Sequence, residues 1–230
     1  MIKIENVEVF GWEAAIRGMR NPMNSWSKSD SSYCYIKQNC AGCANVECLN
    51  RDDMYGGNAY SIGKNDFDLM KKLVKSGTDH SKFMRMINVT CDIVAPMYWW
   101  KEFDTYKVGT VRNSCSTMHK IADKEFTLDD FSHEQLGESA IEEFLEPTIR
   151  GLNIARDMYL EKKSEGKESK AAWWQMIQLL PSSYNQRSTM QMNYQVLRSI
   201  YHARKNHKLD EWREFCKWIE SLPYSELITG

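Results

Sequence analysis

Ile87-Asn88-Val89-Thr90-Cys91-Asp92-Ile93-Val94-Ala95-Pro96 is the clearest strand in the chain. Ile87, Val89, Cys91, Ile93 and Ala95 alternate with Asn88, Thr90, Asp92 and Val94, so one face is apolar. Pro96 suits the first turn of a following helix, Met97-Tyr-Trp-Trp-Lys-Glu-Phe-Asp-Thr-Tyr106. Just upstream, Phe67, Met70, Leu73 and Val74 recur at helical spacing, with Asn65 as the expected N-cap and Gly77 just past the end. Further upstream, Ile2 to Phe10 reads as a short strand, and Trp12 to Met19 as a helix closed by Asn21-Pro22.

Residues 24–63 form a polar stretch rich in Ser, Asn, Gly and Cys, too long for an idle loop. It reads as an inserted functional loop or a small subdomain. Downstream, Thr127-Leu-Asp-Asp130 has the form of a capping box with Asp in place of Glu. Ser132 to Lys163 has a helical pattern that Pro147 is expected to break. Ala171 to Leu180, Arg187 to Ala203 and Leu209 to Ser221 read as further helices. No repeat or domain linker is visible. The expectation is a single α+β domain over residues 1–230 with a small sheet and an insertion at 24–63.

The chain has 230 residues, with eight Trp and thirteen Met to build a core. Its net charge of −1 gives no bulk attraction for nucleic acid or a membrane. No apolar run approaches the roughly 20 residues of a membrane span. The start, MIKIENVEVFGWE, lacks the basic and apolar segments of a signal peptide, so a cytoplasmic location is expected. In a reducing compartment the seven Cys are expected as thiols or metal ligands.

Four segments in order resemble the flavin-dependent thymidylate synthase family. Glu13-Ala-Ala-Ile-Arg-Gly-Met-Arg20 resembles its N-terminal Ala/Arg-rich helix. Asp66 to Ser76 with Gly77-Thr-Asp-His80 resembles the helix and Gly-His turn before its main strand. Asn88 to Pro96 resembles that strand and its Ala-Pro exit. Leu180-Pro181, then Asn193 and Arg204, have the spacing of its C-terminal Leu-Pro, Asn-Ala-Arg and Leu-Arg motifs. The resemblance implies a small, mostly antiparallel sheet with several long helices. It implies FAD as cofactor and transfer of a one-carbon unit to C5 of deoxyuridylate, with flavin as hydride carrier. Folate, reduced nicotinamide and a homotetramer are implied as well.

On this resemblance His80, Tyr106, Lys107 and Asn193 would contact the flavin. Lys107, Arg112, Ser114, Cys115, Ser116, Thr117 and Arg204 would face the nucleotide, with Arg204 as the catalytic cation. The family's Arg-His-Arg triplet falls on Thr105-Tyr106-Lys107, its first Ser on Thr110, its second on Cys115, and its final Arg on Thr117. Two further family arginines fall on Ile177 and Gln195. A nucleotide phosphate favours bidentate guanidinium contacts, which neutral residues at these positions do not supply. Arg85, Arg112, Lys107 and Arg187 are candidates to compensate. These departures support an alternative: a nucleotide- or flavin-binding protein on the same fold with altered or lost synthase activity.

Other groups admit two readings each. The segment Thr105 to His119 is either a ligand site or a polar turn with helix caps. Cys115 is either a nucleophile activated by Lys107, Arg112 or His119, or an inert buried thiol. His80 is either a flavin contact or a turn-bridging residue, and Arg204 could simply pair with the acidic segment that follows it. Cys34, Cys40, Cys43 and Cys48 could hold a structural zinc or an iron–sulfur cluster, or be free loop thiols. Trp99, Trp100, Trp173 and Trp174 could stack on bases or flavin, but adjacent pairs on helices are expected to split between core and subunit interface.

Overall fold

The computed structural model describes residues 2–34 and 59–230. Cys40, Cys43 and Cys48 of the proposed zinc site lie outside the described residues, and of Cys34 only the backbone is described. The elements in order are β1 (Lys3–Phe10), α1 (Trp12–Arg20), β2 (Ser32–Cys34), β3 (Ala59–Ser61), α2 (Lys64–Lys75), β4 (Asn88–Pro96), α3 (Met97–Phe103), β5 (Thr110–Ser114), α4 (Thr117–Lys120) and α5 (Glu138–Ala140). Then come α6 (Glu146–Ser164), α7 (Lys170–Leu179), β6 (Asn185–Asn193), α8 (Tyr194–Arg204), α9 (Asp210–Glu220) and α10 (Glu226–Thr229). A four-stranded antiparallel sheet has the order β1-β4-β6-β5, and β2 pairs with β3 separately. The class is α+β, as the sequence suggests. Among the described residues, no helix is long and apolar enough to cross a membrane.

The chain divides into two compact units. One comprises Met1–Glu5, Asp92–Thr105 and Arg112–Met190; the other comprises Asn6–Cys91, Tyr106–Val111 and Gln191–Gly230. In the first, Phe126, Phe131, Leu145, Ile149, Leu152 and Met176 form a buried cluster. In the second, Trp12 packs edge-on against Tyr194 and Tyr224, each 5.3 Å away between ring centres.

The alternation on β4 is realised: Ile87, Val89, Cys91, Ile93 and Ala95 are all buried. The segment expected as one helix over Arg187–Ala203 is instead β6 followed by α8. Met and Gln are good helix formers, which favours the wrong state. Ser188, Met190 and Met192 are buried while Arg187, Thr189 and Gln191 are exposed, and that period of two belongs to a strand. Asn193 then caps α8, its Oδ1 accepting the Val196 N–H at 3.0 Å.

Three boundaries also differ from expectation. The N-cap of α2 is Gly63, and Asn65 lies in its first turn. The open N–H groups of Asn65 and Asp66 donate to the Asp30 carboxylate at 2.8 and 3.0 Å, so a distant residue supplies the cap. The helical region expected from Ser132 begins at Glu138. It passes through a π-helical turn, Ile141–Leu145, into α6, with Pro147 in the first turn of α6 rather than breaking a helix. The wider turn accommodates a residue that cannot donate an N–H. The capping box at Thr127 does form, around a short 3-10 turn at Leu128–Asp130.

Candidate functional site

The first unit holds Arg112, Ser114, Cys115, Ser116 and Thr117; the second holds His80, Tyr106, Lys107, Asn193 and Arg204. Each group is built by different elements.

In the first unit, α3 buries Trp99, Trp100 and Phe103. Neither Trp of this pair is left for an interface, contrary to the expected split. The Trp100 indole donates to the Gln186 carbonyl at 2.9 Å and offers its ring face to the Arg112 guanidinium, 3.9 Å from the centre. Arg112, on β5, donates from Nε to Ser188 Oγ at 3.0 Å, from Nη1 to Asp104 at 2.8 Å, and from Nη2 to Gln186 Oε1 at 2.7 Å. The Gln186 amide donates in turn to the Cys115 carbonyl at 2.7 Å. The Cys115 N–H donates to the Arg187 carbonyl at 2.9 Å. The backbone at Cys115 is thus fixed on both sides while its thiol is exposed, in contrast to the buried Cys91 and Cys216.

Ser114 is exposed at the end of β5. Ser116 is the N-cap of α4, accepting the His119 N–H at 3.2 Å, and Thr117 opens that four-residue helix. The bland expectation of helix caps therefore holds for Ser116. Arg187 is exposed but pairs with Asp92 at 2.7 Å and Glu5 at 3.5 Å. Ile177, where the resemblance expects Arg, packs against the apolar cluster of this unit.

In the second unit, the Thr110 hydroxyl donates to the Tyr106 carbonyl at 2.6 Å, closing a turn with Lys107 and Val108 exposed on it. Gly109 has φ +80, and a side chain there would come within 2.9 Å of Val196 and 3.0 Å of the Asn193 amide nitrogen. Only glycine lets this turn lie so close to the start of α8. Arg204, at the end of α8, donates from Nε to the Tyr106 hydroxyl at 2.9 Å. Its guanidinium carbon lies 4.8 Å from the centre of the Trp212 ring and 5.7 Å from that of Tyr106. The structure therefore brings Tyr106 and Arg204 together, and Lys107 and Asn193 flank the same turn.

His80 is exposed beyond α2, its N–H donating to the Gly77 carbonyl at 3.1 Å. Gln195, at another position expected to be Arg, accepts a hydrogen bond from Ser81 at 3.3 Å. An open groove of about 650 Å³ in this unit is lined by residues including Arg20, Lys28, Asp30 and Asn65. None of the flavin or nucleotide candidates lines it.

Sequence reasoning missed Asp104, Gln186 and Ser188 as the holders of Arg112, and Trp212 as the ring beneath Arg204. Ser188 lay inside a segment read as helix and Gln186 just before it, where neighbours alternate three and four apart. Read as a strand, the alternation of Ser188 with Met190 and Met192 places that hydroxyl on the inner face.

No family model and no curated protein matches the sequence. Solved structures do match the fold. The flavin-dependent thymidylate synthase ThyX of Helicobacter pylori, complexed with FAD and dUMP, is similar with a TM-score of 0.62 at 14% identity, covering 98% of this chain and 97% of that one. A second ThyX structure from Helicobacter pylori, with FAD and dUMP, gives 0.61 at 14% identity, covering 100% and 97%. The UMP/dUMP methylase PolB of Streptomyces cacaoi, bound with 5-Br dUMP, gives 0.55 at 13% identity, covering 100% and 95%. At these identities the likeness establishes the fold.

Proposed function

We propose that this chain, which has the fold of the flavin-dependent thymidylate synthases, binds FAD and a deoxyuridine nucleotide and transfers a one-carbon unit to C5 of the uracil. The observation that carries the reading is a near full-length likeness to proteins holding FAD and dUMP, or a dUMP analogue, coupled to the Tyr106–Arg204 pair. The resemblance puts Tyr106 at the flavin and Arg204 at the nucleotide.

The donor set suits FAD. Lys107 carries an exposed cation for the phosphates, and Asn193 and His80 supply polar groups for the ring edge. When bound, the flavin would supply the hydride. The chain's own part is to position the nucleotide. Tyr106 and Trp212 fix the direction of the Arg204 guanidinium, which places its charge without reorganisation during the reaction. Arg204 and Lys107 would provide charge against the nucleotide. Folate and reduced nicotinamide as co-reactants, a homotetramer and a cytoplasmic location belong to the same proposal. So does a single domain spanning 1–230 with its insertion at 24–63.

A second reading is favoured by the state of the other cations. Arg112 is held by three partners and a ring, Arg187 is ion-paired, and Ile177 is packed in a core. A phosphate loses about 1.5–3 kcal/mol for each charged hydrogen bond not made. That favours a protein with altered or lost synthase activity, holding an uncharged nucleoside or a flavin alone.

An absorbance spectrum of the purified protein, with tritium release from 5-labelled deoxyuridylate, tests the first reading. Colourless protein that takes up no FAD overturns it. Calorimetry with deoxyuridylate against deoxyuridine separates the two, since strong preference for the phosphorylated ligand ends the second. The zinc proposal at Cys34, Cys40, Cys43 and Cys48 is tested by plasma mass spectrometry, where less than about a tenth of an equivalent of metal sinks it.

A further inference from the structure

The chain turns back on itself just after α1. Asn21–Met23 forms a short 3-10 turn, Asn24 takes φ 47, and the Ser25 N–H donates to the Arg20 carbonyl at 3.2 Å. Asparagine adopts that left-handed backbone more readily than most residues. A second short turn, Trp26–Lys28, follows at once. Together with the start of α2 these turns wall the open groove of about 650 Å³, which lies within the second unit.

The groove holds donors that no protein group takes up. Arg20 and Ser25 line it while only 4% and 8% exposed. Arg20 gives Nε to Asp66 at 2.6 Å, and Nη1 to the Ser25 carbonyl and hydroxyl at 3.2 and 3.4 Å. Among the described residues nothing accepts from its Nη2. The Ser25 hydroxyl accepts from Nη1, and its own proton has no acceptor among them either. Ser27 and Lys28 add an exposed hydroxyl and ammonium to the lining, with no ion pair or side-chain hydrogen bond among the described residues. Donors held as deep as those of Arg20 and Ser25 act more strongly on an anion than donors in open water. The nearby carboxylates are already engaged. Asp66 is fully buried against Arg20, and Asp30 gives one oxygen to the Asn65 N–H and the other to the Asp66 N–H. The Asp30 charge is thereby set against the positive end of α2, and that of Lys28 is left over.

We propose that this groove binds a phosphate monoester, with Arg20 Nη2, the Ser25 and Ser27 hydroxyls and the Lys28 ammonium as its donors. A carboxylate favours the two-pronged edge of a guanidinium, and here the Nε edge is given to Asp66. Separate donors from several side chains suit the three free oxygens of a phosphate. Met23 and Leu69 also line the groove and offer contact to an apolar body on the ester. No flavin or nucleotide candidate lies on this lining, so the inference stands apart from the synthase reading.

The test uses the full chain at constant ionic strength in chloride. Lys28 is acetylated with limiting reagent, and its modification is read by peptide mass spectrometry against added phenyl phosphate or inorganic phosphate. Phenyl phosphate is expected to protect Lys28 at millimolar concentration or below, and at lower concentration than inorganic phosphate. Ser27→Ala, at an exposed position, is expected to keep its circular dichroism and to raise the half-protecting concentration about tenfold, as loss of one hydrogen bond to a charged group implies. Arg204→Ala alters the proposed nucleotide site and is expected to leave that concentration unchanged. Lys28 acetylation that neither compound slows overturns the proposal, as does an unchanged half-protecting concentration in Ser27→Ala. Loss of protection in Arg204→Ala would assign the effect to the nucleotide site and overturn it too. Protection by inorganic phosphate alone would mark a free-ion site and overturn the monoester.

Discussion

In the second unit, Arg20 reaches Asp66 at 2.6 Å among hydroxyls, with side chains 5% and 0% exposed. In the first, Arg112 lies half-open on the face of Trp100 and spreads its donors over Asp104, Gln186 and Ser188. Both arginines join distant parts of the chain. They differ in what holds the charge. Asp66 accepts from Arg20, from the hydroxyls of Ser29 and Ser31, and from the backbone N–H groups of Asp30 and Ser31. Arg112 has one anionic partner, and Asp104 is 54% exposed. A charge shut away from water depends on every partner, whereas a half-open one can exchange partners for solvent.

The largest effect is therefore expected at the buried pair. Asp66→Ala leaves the Arg20 guanidinium closed to solvent without its counter-charge, and should cost about 3–5 kcal/mol of stability in a urea titration. A loss below about 1 kcal/mol would show that water enters this region and would erase the contrast with Arg112.

The same pair gives a pH dependence. Burial alone pushes the Asp66 carboxyl up, but hydrogen bonds from Ser29, Ser31 and Arg20, with the nearby positive charge, outweigh it and hold the carboxyl below its ordinary range. A group lowered in the folded state binds its proton more readily when unfolded. Its stabilisation is complete above the unfolded value of about 3.9 and is lost as pH falls through the folded one. Urea midpoints of wild type should fall steeply below about pH 4, and those of Asp66→Asn more shallowly. Parallel curves would remove Asp66 as the source.

Arg112 should matter less. Arg112→Ala removes three hydrogen bonds and a ring contact, but its partners are neutral or partly solvated, so about 2 kcal/mol is expected. Arg112→Lys keeps the charge and loses the planar fork and the stacking, so it should recover less than half of that. Full recovery by Lys in the same titration would mean that charge alone matters there.

How far each region was legible follows from the range of its contacts. The apolar face of β4 repeats every second residue, so it can be read within the strand itself. The cap of α2 could not be read, because Asp30 sits 35 residues before the Asn65 N–H it accepts. Arg112 was recognisable as a candidate cation, yet its acceptors Gln186 and Ser188 lie 74 and 76 residues away. Their position depended on β6 being a strand, where local propensity pointed to helix. Tyr106 and Arg204 were each singled out from the ordered motifs. Their contact spans 98 residues and only the folded chain displays it.

The smallest effect isolates a single hydroxyl in each region. Ser31 donates to Asp66 at 2.6 Å and accepts the Gly63 N–H at 2.9 Å, so Ser31→Ala takes a donor from a buried carboxylate and strands a backbone donor. Ser188, 1% exposed, accepts one N–H from Arg112. Ser188→Ala leaves that guanidinium with Asp104, Gln186 and the Trp100 ring. Bonds to charged groups contribute about 1.5–3 kcal/mol where the charge is fully enclosed, and ordinary ones about 0.5–1.5. Ser31→Ala should therefore cost about 1 kcal/mol more than Ser188→Ala in paired urea titrations. Equal losses would place the half-open arginine on the same footing as the buried one, and solvent access would no longer explain how the two differ.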